Sequence, residues 1–331
     1  MKAMVMTAVG GPEVLELQEV ATPLPRGREL RVRLRAAGVN PVDTKLRAGG
    51  TFFPERMPTI LGCDGAGIVD AVGTEATRFK AGDAVYFCNG GIGGHPGNYC
   101  DYAVIDERFA ARKPATLSFD EAAAAPLVLI TAWEALHDRG RLQEDDRVLV
   151  HAGAGGVGHV AIQLARLTGA RVATTVSSMA KARFVRDLGA ERIVEYPNED
   201  FVAAVNAWSQ GGVDLALDTV GGETLNRTIS AVRYGGDLVT VLTPRSDFDW
   251  QAARLRNLRL GLELMLGPMV ASLTSAQEHH GEILRRCAEH FDRGELRVEV
   301  RHRFALEQAA EAHNLLEAGG IIGKIVLQME Q

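Results

Sequence analysis

Residues 148–158 read Val-Leu-Val-His-Ala-Gly-Ala-Gly-Gly-Val-Gly, an apolar run that ends in glycines at positions 153, 155 and 158, the spacing G-x-G-x-x-G. The spacing alone is a weak signal, and its surroundings make it specific. An apolar strand precedes it, an amphipathic segment at 157–168 follows, and a second strand, Arg171–Val176, comes within about thirty residues. Gly153 permits a tight turn, Gly155 lets main chain approach a pyrophosphate, and Gly158 lets helix and strand pack closely. Gly156 and Val157 are counted with this cofactor loop, and the free N–H groups and partial positive charge of the following helix N-terminus suit phosphate. The segment is therefore expected to bind a dinucleotide.

The texture around this loop is strand, helix, strand, helix. Apolar strands are expected at 147–150, 171–176, 192–194, 213–217 and 237–242. In the segment 157–168, Val157, Val160, Ala161 and Leu164 follow helical spacing, and Gly169 stands where a helix stops. Such alternation predicts a doubly wound parallel sheet with helices on both faces. Before residue 115 the texture differs. Short alternating runs at 30–34, 67–72 and 83–87, with frequent Gly and Pro, predict antiparallel strands and turns. After a helical stretch at 275–291 that texture returns, with a strand at 297–304, a helix at 306–318 and a last strand at 324–328. The tail is thus expected to rejoin the first unit.

The whole chain bounds the function. It has 331 residues, 46% hydrophobic and 24% charged, with a formal net charge of −6. An acidic balance disfavours nucleic-acid and anionic-membrane binding. No run reaches the length of a membrane span, and the N-terminal stretch does not read as a signal peptide. A cytoplasmic protein is expected. The four cysteines, Cys63, Cys88, Cys100 and Cys287, form no C-x-x-C pair and read as reduced thiols.

Cofactor choice is read at the end of the second strand. An NAD-selective fold places an acidic residue there for the ribose 2′-hydroxyl, whereas this chain has Ser177 and Ser178, followed by Lys181, with Tyr196 closing the next strand. Hydroxyls and a cation suit a 2′-phosphate, so NADPH is expected. A solvated helix lysine is the plainer reading of Lys181.

The segments AAGVNPVDTKLRAG (36–49), ILGCDGAGIVDAVG (60–73), AGDAVY (81–86), EAAAAPLVLITAWEAL (121–136), HAGAGGVG (151–158), LDTVGG (217–222) and GKIVL (323–327) resemble the medium-chain dehydrogenase/reductase superfamily over essentially the whole chain. The chain looks most like the zinc-independent quinone oxidoreductase branch, the relatives of zeta-crystallin. The resemblance implies an α/β fold: a Rossmann NADPH-binding domain, residues 116–297, inserted in a discontinuous GroES-like, mainly β catalytic domain, residues 1–115 and 298–331. It implies an active site in the cleft between them, and a homodimer formed through a late strand at 259–266.

The zinc alcohol dehydrogenases of the superfamily carry a ligand Cys where this chain has Asn40, and a His-Glu pair where it has Cys63 and Asp64. Three protein ligands and an open fourth place are needed for catalytic zinc. The region of the structural zinc lobe offers only Cys88, His95 and Cys100. No metal is therefore expected. The acceptor expected is a quinone or an α,β-unsaturated carbonyl, whose own conjugation spreads charge. A conjugated acid, acyl-thioester or aldehyde acceptor is the second reading, and a non-catalytic NADPH-binding protein the third.

The resemblance implies that Asn40 orients the nicotinamide or the substrate carbonyl. It places Thr131, Thr219, the loop Val241, Leu242 and Thr243, and Lys324 along the cofactor. Lys45 replaces an aromatic of the quinone reductases and is a candidate for substrate choice, against the plainer reading of an exposed lysine. His151 is expected to pack rather than donate a proton, and Asp43 to brace its turn.

Overall fold

The computed structural model describes residues 1–330. The chain packs as two units: Met1–Leu127 together with the chain from Leu266 onward, and Val128–Met265. These bounds lie some way from the expected 115/116 and 297/298. The helix Phe119–Ala124 packs on the strands Glu29–Val39 and Asp64–Val72, and the helix Thr274–Asp292 packs on Ala84–Cys88 and Ala111–Arg112, so both belong with the outer unit. The Tyr86 hydroxyl, donating to the Leu284 carbonyl, ties the second of these helices down.

The inner unit is one six-stranded parallel sheet. Its strands, Arg147–Val150, Arg171–Val176, Arg192–Glu195, Val213–Asp218, Val232–Thr240 and Arg259–Leu262, lie in the spatial order third, second, first, fourth, fifth, sixth. Val148, Leu149 and Val150 are all fully buried, as both faces of a parallel sheet covered by helices require. On one face Leu149, Ala173, Val194 and Ala216 meet Phe201, Val205 and Leu225. The order reverses between the first and fourth strands, and that switch point is where such sheets bind ligands.

The outer unit holds a seven-stranded sheet and a three-stranded one. In the larger, the tail strand Lys324–Gln328 pairs antiparallel with the end of Glu29–Val39, Ile325 opposite Val39. On its other side Glu29–Val39 pairs with Asp64–Val72, Gly38 opposite Asp64. The tail does rejoin the first part of the chain, as its alternation predicted. Three strand ends thus meet at Asn40, where the central strand gives way to the helix Pro41–Gly49.

Gly38 makes this junction close. A Cβ there would lie 2.4 Å from the Ala123 carbonyl oxygen and 2.9 Å from the Asp64 Cβ, with backbone on one side and a buried strand on the other. Gly38→Ala should therefore destabilise the protein by roughly 1–3 kcal/mol, the usual cost of overpacking. Urea unfolding checks this, and an unchanged midpoint would show that the helix Phe119–Ala124 yields freely.

Candidate active site

The glycine loop is built as its spacing required. A Cβ on Gly153 would lie 2.0 Å from the Thr174 hydroxyl, and one on Gly158 2.4 Å from the Ala152 carbonyl oxygen, so both positions exclude a side chain. Gly155 differs. Its nearest neighbour to a built Cβ is the Ala152 oxygen at 3.2 Å, which leaves its outer face open. Gly155 is the N-cap of the helix Gly156–Leu167, and no side chain caps that end. The first amides of the helix, at Gly156, Val157 and Gly158, are those a phosphate would meet.

At the end of the second strand the Lys181 ammonium donates to the Ser177 hydroxyl at 3.0 Å, and Ser178 caps the helix Met179–Asp187 through the Lys181 amide. The structure thus joins Ser177 and Lys181 in one contact. The Tyr196 amide donates to the Val176 carbonyl, and its ring is exposed. Tyr196 lines a cavity of about 540 Å³ with His151, Thr175, Asn198 and Thr224. The acidic residues on its wall are matched: Glu199 pairs with Arg192, and Asp200 with Arg227.

Asp218, at the end of the fourth strand, was not singled out from sequence, although it lies within LDTVGG. It is fully buried. Its carboxylate accepts from the Val220 amide at 3.2 Å, the Gly221 amide at 3.0 Å and the Thr240 hydroxyl at 2.8 Å. One carboxylate therefore fixes both loops that follow the fourth and fifth strands, including Thr219, whose hydroxyl donates to the His151 carbonyl at 3.0 Å, and Val241, Leu242 and Thr243. Thr131 is buried within the helix Pro126–Trp133.

In the outer unit Asn40, Asp43, Asp64 and Lys324 are all buried. The strand register brings Lys324 and Asp64 to opposite sides of Asn40. The Lys324 ammonium donates to the Asn40 side-chain oxygen and, at 3.1 Å, to the Val39 carbonyl. The Asn40 amide donates to Asp64 Oδ2 at 2.8 Å, and Asp64 Oδ1 accepts from the Leu127 amide at 2.8 Å. Burial pushes the Asp64 carboxyl up and the Lys324 ammonium down, and their mutual attraction opposes both shifts. Asp43 accepts from the Asn40 backbone amide at 2.8 Å and from the Tyr99 hydroxyl at 3.0 Å. It braces the turn, as expected, and burial carries its carboxyl up to about 7. Lys45 is exposed on the helix Pro41–Gly49 and is not drawn into this cluster.

Tyr99 and His313 belong to the same cluster and were missed from sequence. Each is an ordinary core residue by its local pattern, and only the fold brings them to Asp43. Among the described residues, neither Cys63 with Asp64 nor Cys88, His95 and Cys100 forms a group of three such side chains within reach of one ion. All four cysteines are free and buried.

This is the architecture of a nucleotide-binding oxidoreductase. Residues 26–115 match the alcohol dehydrogenase GroES-like domain, and residues 188–327 the zinc-binding dehydrogenase family. The chain is 34% identical to a quinone oxidoreductase of Pseudomonas aeruginosa, over 98% of this chain and 99% of that protein. Among solved structures, an alcohol dehydrogenase superfamily protein from Novosphingobium aromaticivorans superposes with a TM-score of 0.92 at 34% identity, covering both chains completely. The quinone oxidoreductase of Escherichia coli complexed with NADPH gives a TM-score of 0.88 at 28% identity, over 99% of this chain and 100% of that one. The chain belongs to the quinone oxidoreductase, zeta-crystallin-like branch of the medium-chain dehydrogenase/reductase superfamily.

His151 is packed, as expected. Its ring lies between the Thr175 hydroxyl at 3.1 Å and the Thr228 hydroxyl at 2.8 Å, edge-on to Phe201. Burial lowers its pKa from 6.5 to about 4. A depressed pKa means stability present above pH 6.5 and lost as pH falls towards 4, by about 3 kcal/mol at most. His151→Gln, which keeps a hydrogen-bonding side chain without the titration, should lose Tm less steeply than the unmodified protein between pH 6.5 and 4. Parallel Tm–pH curves would show that His151 is not held neutral.

Proposed function

We propose that this protein is an NADPH-dependent reductase that acts, without zinc, on a quinone or an α,β-unsaturated carbonyl. The observation that carries the cofactor choice is the Lys181–Ser177 contact at the end of the second strand, where an NAD-selective fold carries a carboxylate. The glycine loop supports the same reading, since the open face of Gly155 and the uncapped helix behind it fit a pyrophosphate. Relatives that carry the name quinone oxidoreductase, one of them in complex with NADPH, support the acceptor class.

NADPH, when bound, supplies the hydride. Gly153, Gly155, Gly156, Val157 and Gly158 hold its pyrophosphate, and Ser177, Lys181 and Tyr196 its 2′-phosphate. Thr131, Thr219, Val241, Leu242, Thr243 and Lys324 are assigned to the rest of the dinucleotide. Asn40 orients the nicotinamide end, and Lys45, exposed and free to reach a ligand, tunes which acceptor is preferred. The Asn40 amide suits an orienting role because Lys324 and Asp64 fix which end is oxygen and which is nitrogen.

A homodimer is supported by the last strand. Among the described residues Arg259–Leu262 is paired only to Val232–Thr240, and Leu262 on it and Leu264 just after it are exposed, a surface that a partner strand would cover. Among the described residues no helix is long and apolar enough to cross a membrane. The free, buried thiols support a reducing, cytoplasmic setting.

Two substitutions test this function. Lys181→Ala should erode the preference for NADPH over NADH by roughly 1–3 kcal/mol, the worth of a charge-assisted contact. Equal affinity of the unmodified protein for both cofactors would remove the assignment. Asn40→Ala should lower turnover with every acceptor, up to about the hundredfold that a small misplacement of reacting atoms costs, while NADPH affinity stays largely intact. Full turnover would take Asn40 out of the site.

A further inference from the structure

The helix Pro41–Gly49 and the helix Ala309–Ala318 pack together in the outer unit, and the polar groups they carry do not pair off among themselves. Arg47 is 3% exposed. One arm of its guanidinium donates to Glu317 Oε1 at 2.6 Å, while its Nε and Nη1 are buried with no partner among the described residues. His313 is fully buried, four residues before Glu317 and so on the same side of its helix. Its Nε2 lies 3.2 Å from the Tyr99 hydroxyl, and its Nδ1 is also buried with no partner. The Arg47 charge acts on this ring and, after burial, is the second cause that lowers its pKa, to about 4, so the imidazole is neutral.

The polarity of the chain is fixed by its far end. Asp43 Oδ2 accepts from the Asn40 amide and from the Tyr99 hydroxyl. With Asp43 ionised, above its pKa of about 7, the phenol gives its only proton to Asp43 and its oxygen can only accept from His313. The His313 proton is therefore on Nε2, and Nδ1 presents a bare lone pair. Arg47 offers donors only. Whatever joins them must accept from a guanidinium and donate to an imidazole nitrogen. Chloride and carboxylates have no proton to give, and an ammonium has no lone pair to receive one. A water molecule does both, and buried waters occupy such places.

We propose that Arg47 and His313 hold one internal water molecule. The water satisfies the lone pair that the Nε2–H tautomer leaves on Nδ1, and so holds in place the run His313–Tyr99–Asp43, which sets the backbone at Asn40. His313 is then a positioning residue. That last consequence rests on the role given to Asn40 above, and the water site itself does not.

The unmodified protein tests the site directly. A high-resolution crystal structure should show a water about 3 Å from both the Arg47 guanidinium and His313 Nδ1. Above pH 7, where Asp43 is ionised, nitrogen NMR of the imidazole should show a neutral Nε2–H ring. A direct bond from Arg47 to Nδ1, an anion in place of the water, or an Nδ1–H tautomer would overturn the proposal.

Two variants test the consequence. In His313→Gln the amide can still donate to Tyr99 and accept at its other end, so turnover should stay within about twofold. In His313→Phe it should fall by about tenfold, part of the hundredfold range open to misplacement, with NADPH affinity unchanged. Equal losses in the two variants would overturn the positioning role. Full activity of Asn40→Ala would instead remove the role given to Asn40 and leave the water and the tautomer standing.

Discussion

Lys324 is buried with its ammonium against the Asn40 side chain, and the same Asn40 amide is held from its other end by Asp64. An ion buried alone costs several kcal/mol, and losing one partner of a buried pair strands the other charge. Neither charge is tolerable without its counterpart, so the fold must deliver both to one place. It does so by register. Ile325 stands opposite Val39 and Gly38 opposite Asp64, which carries Lys324 and Asp64 to the two flanks of Asn40. The return of the tail across the insertion follows from this need, since Lys324 lies 284 positions from the asparagine it holds. Gly38 follows from it too, because the helix Phe119–Ala124 must approach a strand that is already flanked on both sides.

The inner unit solves a different problem with backbone groups. A phosphate site needs amides that are not already bonded, and a helix start provides them only if no side chain caps it. Gly155 in the N-cap position meets that condition. The loops around such a site must then be held by something outside it. Asp218 does this with one carboxylate, taking the Val220 and Gly221 amides on one side and the Thr240 hydroxyl on the other. Its own burial is offset by those donors, which is why a fully buried carboxylate is tolerable there.

What could be read from sequence was whatever depends on neighbours in the chain. The strands Arg147–Val150, Arg171–Val176 and Lys324–Gln328 stand where their apolar runs placed them, and the helix after the glycine loop begins at Gly156, one residue early. The fifth strand begins at Val232, five residues before its expected start, because Gly235 and Gly236 hid an irregular entry that only the pairing with Val213 makes a strand. The last inner strand stops at Leu262 rather than 266, since its pairing with Val232–Thr240 ends there. The helix Thr274–Asp292 announced an amphipathic face without saying what would cover it, so the boundary at Leu266 was not legible. Tyr99 and His313 were hidden for the same reason. They lie 214 positions apart, and nothing local distinguishes them from core residues.

The zinc relatives give a contrast at the same positions. The resemblance places Asn40, Cys63 and Asp64 where those relatives carry ligands, and these side chains are already committed. The Asn40 oxygen accepts from Lys324, Asp64 accepts from Asn40 and from the Leu127 amide, and the Cys63 thiol is directed to Asp43 at 3.9 Å. Against a hydrogen bond with Cys88 that lowers it, burial and the carboxylates of Asp43 and Asp64 raise the Cys63 thiol. A cation at this place would have to displace the Lys324 ammonium, which already supplies a positive charge to Asp64. The lysine thus does electrostatically what an ion would do for the carboxylate, but with directed N–H groups. That direction is what fixes the Asn40 amide, and a spherical ion could not provide it.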